Sequence, residues 1–386
     1  VVIPDLSWSY EQCFPVIHAV PLTGAMELDV DALIEKVEEL CRQDPTWRER
    51  GALVVNNPHN ATGRVFREED LRRLIGYCLE KDVYVVDDLA YQNVAPVHDL
   101  PLIKTVRQIA SELVWMGVVS EERTDCVVSV HSMSKTDCLA GARVAVVEIR
   151  DPVLRAQFEA INALIRPNIG AVLICYLFYR GPVQAVRTCW HLRHAIFADR
   201  TPALLAAVEN LPPDRTPFQL KIIPPTGSMY PLLNVALLPA GLSLDWLASS
   251  LARRGIGLLP LATFARTQKG YETGRTTFRL TLGGVDGAEI LLAKTRRLLI
   301  DLNRLIAHED ARYNRRQLAI RGHDQAGSRA TELNAAMDQA SKRILEACGK
   351  GSDNHKLLQL PPLDGDQVWR DFSGRYAPER LELFRR

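Results

Sequence analysis

Cys126-Val127-Val128-Ser129-Val130-His131-Ser132-Met133-Ser134-Lys135 is a β-branched run that breaks off at a polar turn. Its valines predict a strand from Cys126 to Val130, and the residues after it predict a loop that carries Ser132 and Lys135. The same pattern recurs on either side. Gly51 to Val55 stops at Asn56-Asn57-Pro58, Val83 to Val86 stops at Asp87-Asp88, and Arg143 to Ile149 supplies one more strand. Between them, Leu33, Val37 and Leu40 within Asp29 to Cys41 fall at helical spacing, as do Leu71, Leu74, Ile75, Cys78 and Leu79 within Arg67 to Glu80. Valine-rich strands alternating with helices predict an α/β fold, a mostly parallel sheet flanked by helices. Ligands of such sheets bind beyond the carboxyl ends of the strands. The polar clusters Asn57 to Gly63, Asp87 to Tyr91 and Ser132 to Lys135 each begin where a strand stops, so one shared site is expected.

Composition sets the outer bounds. A chain of 386 residues exceeds one ordinary hydrophobic core, and 47% hydrophobic with 24% charged residues is the make-up of a globular protein. Basic and acidic side chains balance, 47 against 46, so no overall field attracts nucleic acid or an anionic membrane surface. The longest apolar stretch, Gly170 to Tyr179, is about half of what a bilayer requires. The 8 cysteines are scattered singly, without CxxC pairs or metal-ligand spacing, which predicts neither a disulfide framework nor a metal site. A cytoplasmic protein with no nucleic-acid and no membrane partner is the expectation.

Further along, Asp151-Pro152 is a helix start, with a cap residue before Pro at the first helical position. Val183 to Leu211 is mostly helical in pattern. After Pro212-Pro213 come short strands at Phe218 to Ile223, Ser228 to Leu233, Ile256 to Leu259 and Thr277 to Leu282, and beyond Ile306 the chain turns polar. The expected organisation is a large domain at 1–205, a smaller α+β domain at 206–306, and a helical and loop-rich extension at 307–386.

Asn57-Pro58-His59-Asn60-Ala61-Thr62-Gly63, then Asp88-Leu89-Ala90-Tyr91, then Ser132-Met133-Ser134-Lys135 with Gly141-Ala142-Arg143, follow one another as the NPxNPTG, DxxY and SxSKxxxxxGxR patterns do. In these stretches the chain resembles the class I/II aminotransferases, enzymes of fold type I that use pyridoxal phosphate. The likeness runs from Pro4 to about Leu282. It implies that Lys135 forms the Schiff base with the cofactor, Asp88 keeps the pyridine nitrogen protonated, and Ser132 and Arg143 hold the phosphate. Asn60 and Tyr91 match the pair on the cofactor's phenolic oxygen, Trp8 the aromatic stacked on its ring, with Tyr10 as substitute. Arg279, in Phe278-Arg279-Leu280, together with Asn60 matches the clamp for a substrate α-carboxylate. The chemistry is consistent with these types: imine formation needs an amine whose pKa falls on burial, the electron sink needs a carboxylate, and guanidinium gives carboxylate and phosphate paired, charge-assisted bonds. A homodimer with the site at the subunit boundary is implied by the family alone. So are an N-terminal arm, a phosphate-cradling turn and a tyrosine reaching the partner subunit, all expected ahead of Val1.

Each segment also has a plainer reading. Asn57 to Gly63 alone is a turn-rich loop, Asp88 a solvated strand end, Arg279 a surface residue and Trp8 a core aromatic. His59 and His131 read as packing residues. Ala61 in place of the usual proline, Cys138, and Leu261 after Pro260 depart mildly from the pattern. The function implied is amino-group transfer between an α-amino acid and a 2-oxo acid. The same cofactor constellation also serves lyases, decarboxylases and cyclases, and aminotransferase-like domains occur in ligand-sensing regulators and in inactive relatives kept for interaction.

Overall fold

The computed structural model describes residues 1–96, 103–209, 218–239, 242–284 and 286–321, with side chains described as far as 312. Residues up to Tyr313 make one compact unit; from Asn314 onward a second unit lies mostly outside the described residues, and with it most of the expected 307–386 extension.

Two strands open the chain, β1 (Val2–Asp5) and β2 (His18–Pro21), paired in parallel. The helix α1 (Val30–Gln43) begins where Asp29 accepts the Ala32 N–H, an N-cap that satisfies a donor the helix itself leaves free. A single turn, α2 (Trp47–Arg50), leads into β3 (Ala52–Asn56). Then α3 (Glu68–Glu80), β4 (Tyr84–Asp88), α4 (Val106–Trp115) and β5 (Val127–Ser132) follow. The short helix α5 (Met133–Thr136) precedes β6 (Ala145–Ile149). In the order β2-β1-β3-β4-β5-β6 every neighbouring pair is parallel except β5 with β6. The mostly parallel sheet read from the sequence is therefore present, with an antiparallel strand at one edge.

The helices α1, α3 and α4 cover one face of the sheet. Leu33, Val37, Leu71, Leu74, Ile75, Leu79, Ile109 and Leu113 pack there against Val2, Leu53, Val55, Val85 and Val127. Side chains alternate along a strand, so Ile3, Val54 and Val86 point the other way, where Ile3 and Val54 meet Tyr10. After β6 come three helices, α6 (Pro152–Leu164), α7 (Ile169–Arg180) and α8 (Val183–Glu209). Asp151 caps α6 as its sequence suggests. Exposed apolar side chains run along these helices, Leu164, Ile169, Leu177 and Val183 among them. Among the described residues no single helix is long and apolar enough to cross a membrane.

The second sheet is antiparallel. It is built from β7 (Leu220–Ile223), β8 (Leu232–Val235), β9 (Leu259–Pro260) and β10 (Thr277–Arg279) in the order β7-β8-β10-β9. Two helices, α9 (Leu244–Ala252) and α10 (Gln268–Gly274), lie between its strands, and α11 (Ala288–Arg321) follows. Its core joins Leu233, Val235, Leu247, Leu251 and Phe278 to Leu299 and Leu302 of α11, and takes in Tyr91, Phe197 and Leu204. Residue 205 thus lies within α8, whose side chains serve this core. The strand expected at Ser228 to Leu233 starts only at Leu232. Ser228 has a positive φ of 60°, and its N–H is taken by the Val94 carbonyl, so Ser228 to Pro231 forms a loop instead.

Candidate active site

The ends of three strands lie level. Asn56 of β3 pairs with Asp88 of β4, which pairs with Val130 of β5. Asn56 braces the turn that follows it: its amide nitrogen donates to the Asp88 carbonyl (2.9 Å) and its amide oxygen accepts the Asn60 N–H (2.7 Å). The pleat then separates two adjacent carboxylates. Asp87 faces the helical layer, where Val106 N–H at the start of α4 donates to it (2.9 Å), and burial pushes its carboxyl up to about 7. Asp88 faces the opposite side. Burial raises it as well, while hydrogen bonds from Tyr10 (2.6 Å) and from the Ala90 N–H (3.1 Å) pull it back down.

Asn60 is the centre of a second group. Its amide nitrogen donates to the Tyr91 hydroxyl (2.7 Å), and its side-chain oxygen accepts from the Arg279 guanidinium (2.8 Å). That guanidinium lies between two rings, 4.2 Å from the centroid of Tyr230 and 4.5 Å from that of Phe264. The Tyr91 and Tyr230 hydroxyls are 3.3 Å apart. Sequence therefore picked out Asn60, Tyr91 and Arg279, and the fold brings these three into one hydrogen-bonded chain across the two sheets.

Lys135 stands in α5, directly after β5. Ser132 caps that helix by accepting the Ser134 N–H. Helices α7 and α8 hold the turn from outside: Asp137 accepts from Tyr179 (2.7 Å) and from the Trp190 indole (2.9 Å), and Arg193 donates to the Lys135 carbonyl (3.3 Å). The Lys135 amine itself has no hydrogen-bond or ion-pair partner among the described residues. Ser132 pairs with Ala145 across β5 and β6, which sets Arg143 at the same end of the sheet. Arg143 adopts a left-handed φ of 54°, is exposed, and among the described residues donates only to the Ala140 carbonyl of its own turn.

One expectation meets a different local picture. Trp8 is 47% exposed, and the aromatic side chain that reaches Asp88 is Tyr10. His59 is buried, shares a hydrogen bond with Thr62 (2.8 Å) and leans on Phe66, in keeping with a packing role. Tyr230, Phe264, Asn56 and Asp137 were not singled out from the sequence. Tyr230 and Phe264 come to Arg279 through pairing of the second sheet, in which Arg279 opposes Leu232 and Leu259, and no local pattern announces that register.

The model of the family described as aminotransferase class I and II matches residues 1–291. The chain belongs to that family. An aspartate aminotransferase of Bacillus subtilis is 23% identical over 235 residues, covering 60% of this chain and 53% of the relative. An aspartate/prephenate aminotransferase of Thermus thermophilus is 24% identical over 284 residues, covering 68% and 63%. Over a shorter stretch of 156 residues, 39% of this chain and 33% of the relative, the cystathionine β-lyase PatB of Bacillus subtilis is 30% identical. Among solved structures, an aspartate aminotransferase mutant of Thermus thermophilus superposes with a TM-score of 0.60 at 18% identity, covering 78% of this chain and 72% of the other. The α-aminoadipate aminotransferase LysN of the same species gives 0.61 at 20%, covering 80% and 72%. This family's fold is accordingly the fold of the chain, which spans about half the length of the first curated relatives it matches, 53% and 54%. Pyridoxal phosphate is the cofactor of this aminotransferase family.

The residues present suit that group. Asp88 has no cationic partner and Arg279 no carboxylate partner among the described residues, and both are substantially buried. Unpaired charges so placed are costly, and complementary charge on a ligand offsets the cost. A pyridinium N–H suits Asp88, an aldehyde the Lys135 amine, and a carboxylate Arg279. When bound, the cofactor supplies the electron sink that stabilises a carbanion at the substrate Cα.

Proposed function

We propose that this chain moves an amino group between an α-amino acid and a 2-oxo acid, with pyridoxal phosphate held by Lys135. The observation that supports it best is that the Asp88 carboxylate, Lys135 amine and Arg279 guanidinium, set on the strand ends and turns of an aminotransferase fold, have no oppositely charged partner among the described residues. Asp88 would hold the ring nitrogen, Asn60 and Tyr91 the phenolic oxygen, and Ser132 and Arg143 the phosphate, with Trp8 or Tyr10 beside the ring. Arg279, kept flat between Tyr230 and Phe264, would fix the α-carboxylate so that the Cα proton faces the Lys135 amine, which carries it. Lysine at position 279 could not offer the planar fork.

Elimination is the second reading, favoured by the likeness to a cystathionine β-lyase. Incubating the chain with pyridoxal phosphate, single amino acids and 2-oxoglutarate separates the two. New glutamate formed with the matching 2-oxo acid supports transfer. Pyruvate and ammonia released without an acceptor would replace that proposal with elimination, and neither product would remove it. A homodimer is proposed as well, supported by the exposed apolar residues along α7 and α8, such as Ile169 and Val183. A cytoplasmic setting is proposed from the free cysteines among the described residues, from Cys13 to Cys189.

A further inference from the structure

Tyr230, like Asn60, touches both Arg279 and Tyr91. Its ring lies 4.2 Å from the Arg279 guanidinium, and its hydroxyl lies 3.3 Å from that of Tyr91. The two tyrosine rings meet edge to face at 5.7 Å. The loop that carries Tyr230 is tied on both sides by the site's own turns. Thr226 and Gly227 N–H groups donate to the Gly63 carbonyl, and the Ser228 N–H to the Val94 carbonyl. Any shift of the Asn57 to Gly63 turn or of the Tyr91 to Val94 turn is thereby passed to Tyr230.

We propose that Tyr230 is a positioning residue that links substrate-carboxylate binding at Arg279 to the hydrogen bond Tyr91 makes with the cofactor. This rests on the pyridoxal-phosphate reading above. Tyr91 has one proton to give. It accepts from Asn60 and, as the structure stands, donates to Tyr230. An anionic oxygen arriving at Tyr91 would accept the hydrogen bond that Tyr91 now gives to Tyr230, the proton staying on Tyr91, and the Tyr230 hydroxyl is then free to donate into the oxygen of Tyr91. A tyrosine that receives such a bond is a stronger donor onward, because hydrogen bonds in a chain polarise one another. Burial first, and Tyr230 next, raise the Tyr91 phenol above its ordinary range, which keeps Tyr91 protonated as a donor. The ring of Tyr230, with Phe264 opposite, meanwhile fixes the plane in which Arg279 offers its N–H groups.

Hydroxyl and ring can be removed separately. In the full chain loaded with pyridoxal phosphate, the absorbance band of the lysine-bound cofactor is followed against pH, and maleate binding is measured by calorimetry. Tyr230→Phe is expected to raise the midpoint of the band's pH titration by roughly half a unit to one unit, since a weaker Tyr91 donor favours the protonated form, and to leave maleate affinity within twofold of wild type. Tyr230→Leu is expected to move the midpoint and to weaken maleate roughly tenfold; Tyr230→Met takes its place if the leucine variant does not fold. An unmoved midpoint in Tyr230→Phe, unchanged maleate affinity in the leucine or methionine variant, or a loaded wild type that ignores maleate would overturn the linkage. A wild type that forms no lysine-bound band at all would instead sink the reading on which it rests.

Discussion

Asp87 and Asp88 are neighbours in sequence with opposite duties, and replacing each by asparagine separates them. Asp87 is buried under α4, and its carboxyl is pushed from 3.8 to about 7, burial being the main cause. A raised carboxyl binds its proton in the folded state where the unfolded chain has already lost it. The stability it contributes is therefore complete below about pH 4 and is lost as pH rises through about 7. Three units at 1.36 kcal/mol each set a ceiling of about 4 kcal/mol on that loss. Asparagine keeps an oxygen for the Val106 N–H and does not titrate, so Asp87→Asn is expected to flatten the fall in urea-unfolding midpoint between pH 4.5 and 7.5 relative to wild type. Cofactor capture should be unaffected. Asp88→Asn should weaken pyridoxal-phosphate uptake by at least about tenfold, the loss of one charge-assisted bond; because burial raises the Asp88 carboxyl as well, it should also flatten part of the pH slope of the cofactor-free chain. Equal slopes in wild type and Asp87→Asn, or equal cofactor loss in both variants, would refute the assignment of the two faces.

Other outcomes follow from the same geometry. The buried His59 has its pKa lowered to about 3, so the neutral ring's contribution is lost as pH falls from the unfolded value of 6.5 toward 3; His59→Asn should flatten the acid limb of a pH series of thermal melts. Gly63 has a φ of +67°, and a Cβ there would stand 2.3 Å from the Tyr230 carbonyl oxygen. Gly63→Ala is thus expected to cost about 2 kcal/mol or more in urea unfolding. Arg279→Lys keeps the charge but loses the planar fork between its two rings. Maleate affinity of the loaded chain should fall roughly tenfold to a hundredfold, and a change within twofold would mean that Arg279 does not bind the carboxylate.

The fold was legible where residues close in sequence decide the outcome. Valine runs marked β3, β4 and β5, the spacing of Leu71, Leu74, Ile75 and Cys78 marked α3, and Asp29 and Asp151 marked helix starts by local side-chain caps, one hydrogen bond at Asp29 and two at Asp151. The site was legible at its strand ends for the same reason, since Asn60, Asp88 and Lys135 each follow a readable strand. What stayed hidden depends on long-range register. Tyr230 and Phe264 reach Arg279 only once β8, β9 and β10 are paired, and Asp137 is held by Tyr179 and Trp190 from two later helices. Tyr10 rather than Trp8 reaches Asp88 because the 3-10 turn from Tyr10 to Gln12 rotates the segment, a turn that its sequence does not signal.

The central claim is that one amine, on Lys135, captures the cofactor's aldehyde. Borohydride reduction of the loaded chain, followed by tryptic digestion and mass spectrometry, tests it directly. A modified Lys135 is no longer cut, so the label is expected on the peptide from Thr124 to Arg143, and Lys135→Ala should abolish it. A label on another lysine, or on none, would contradict the account.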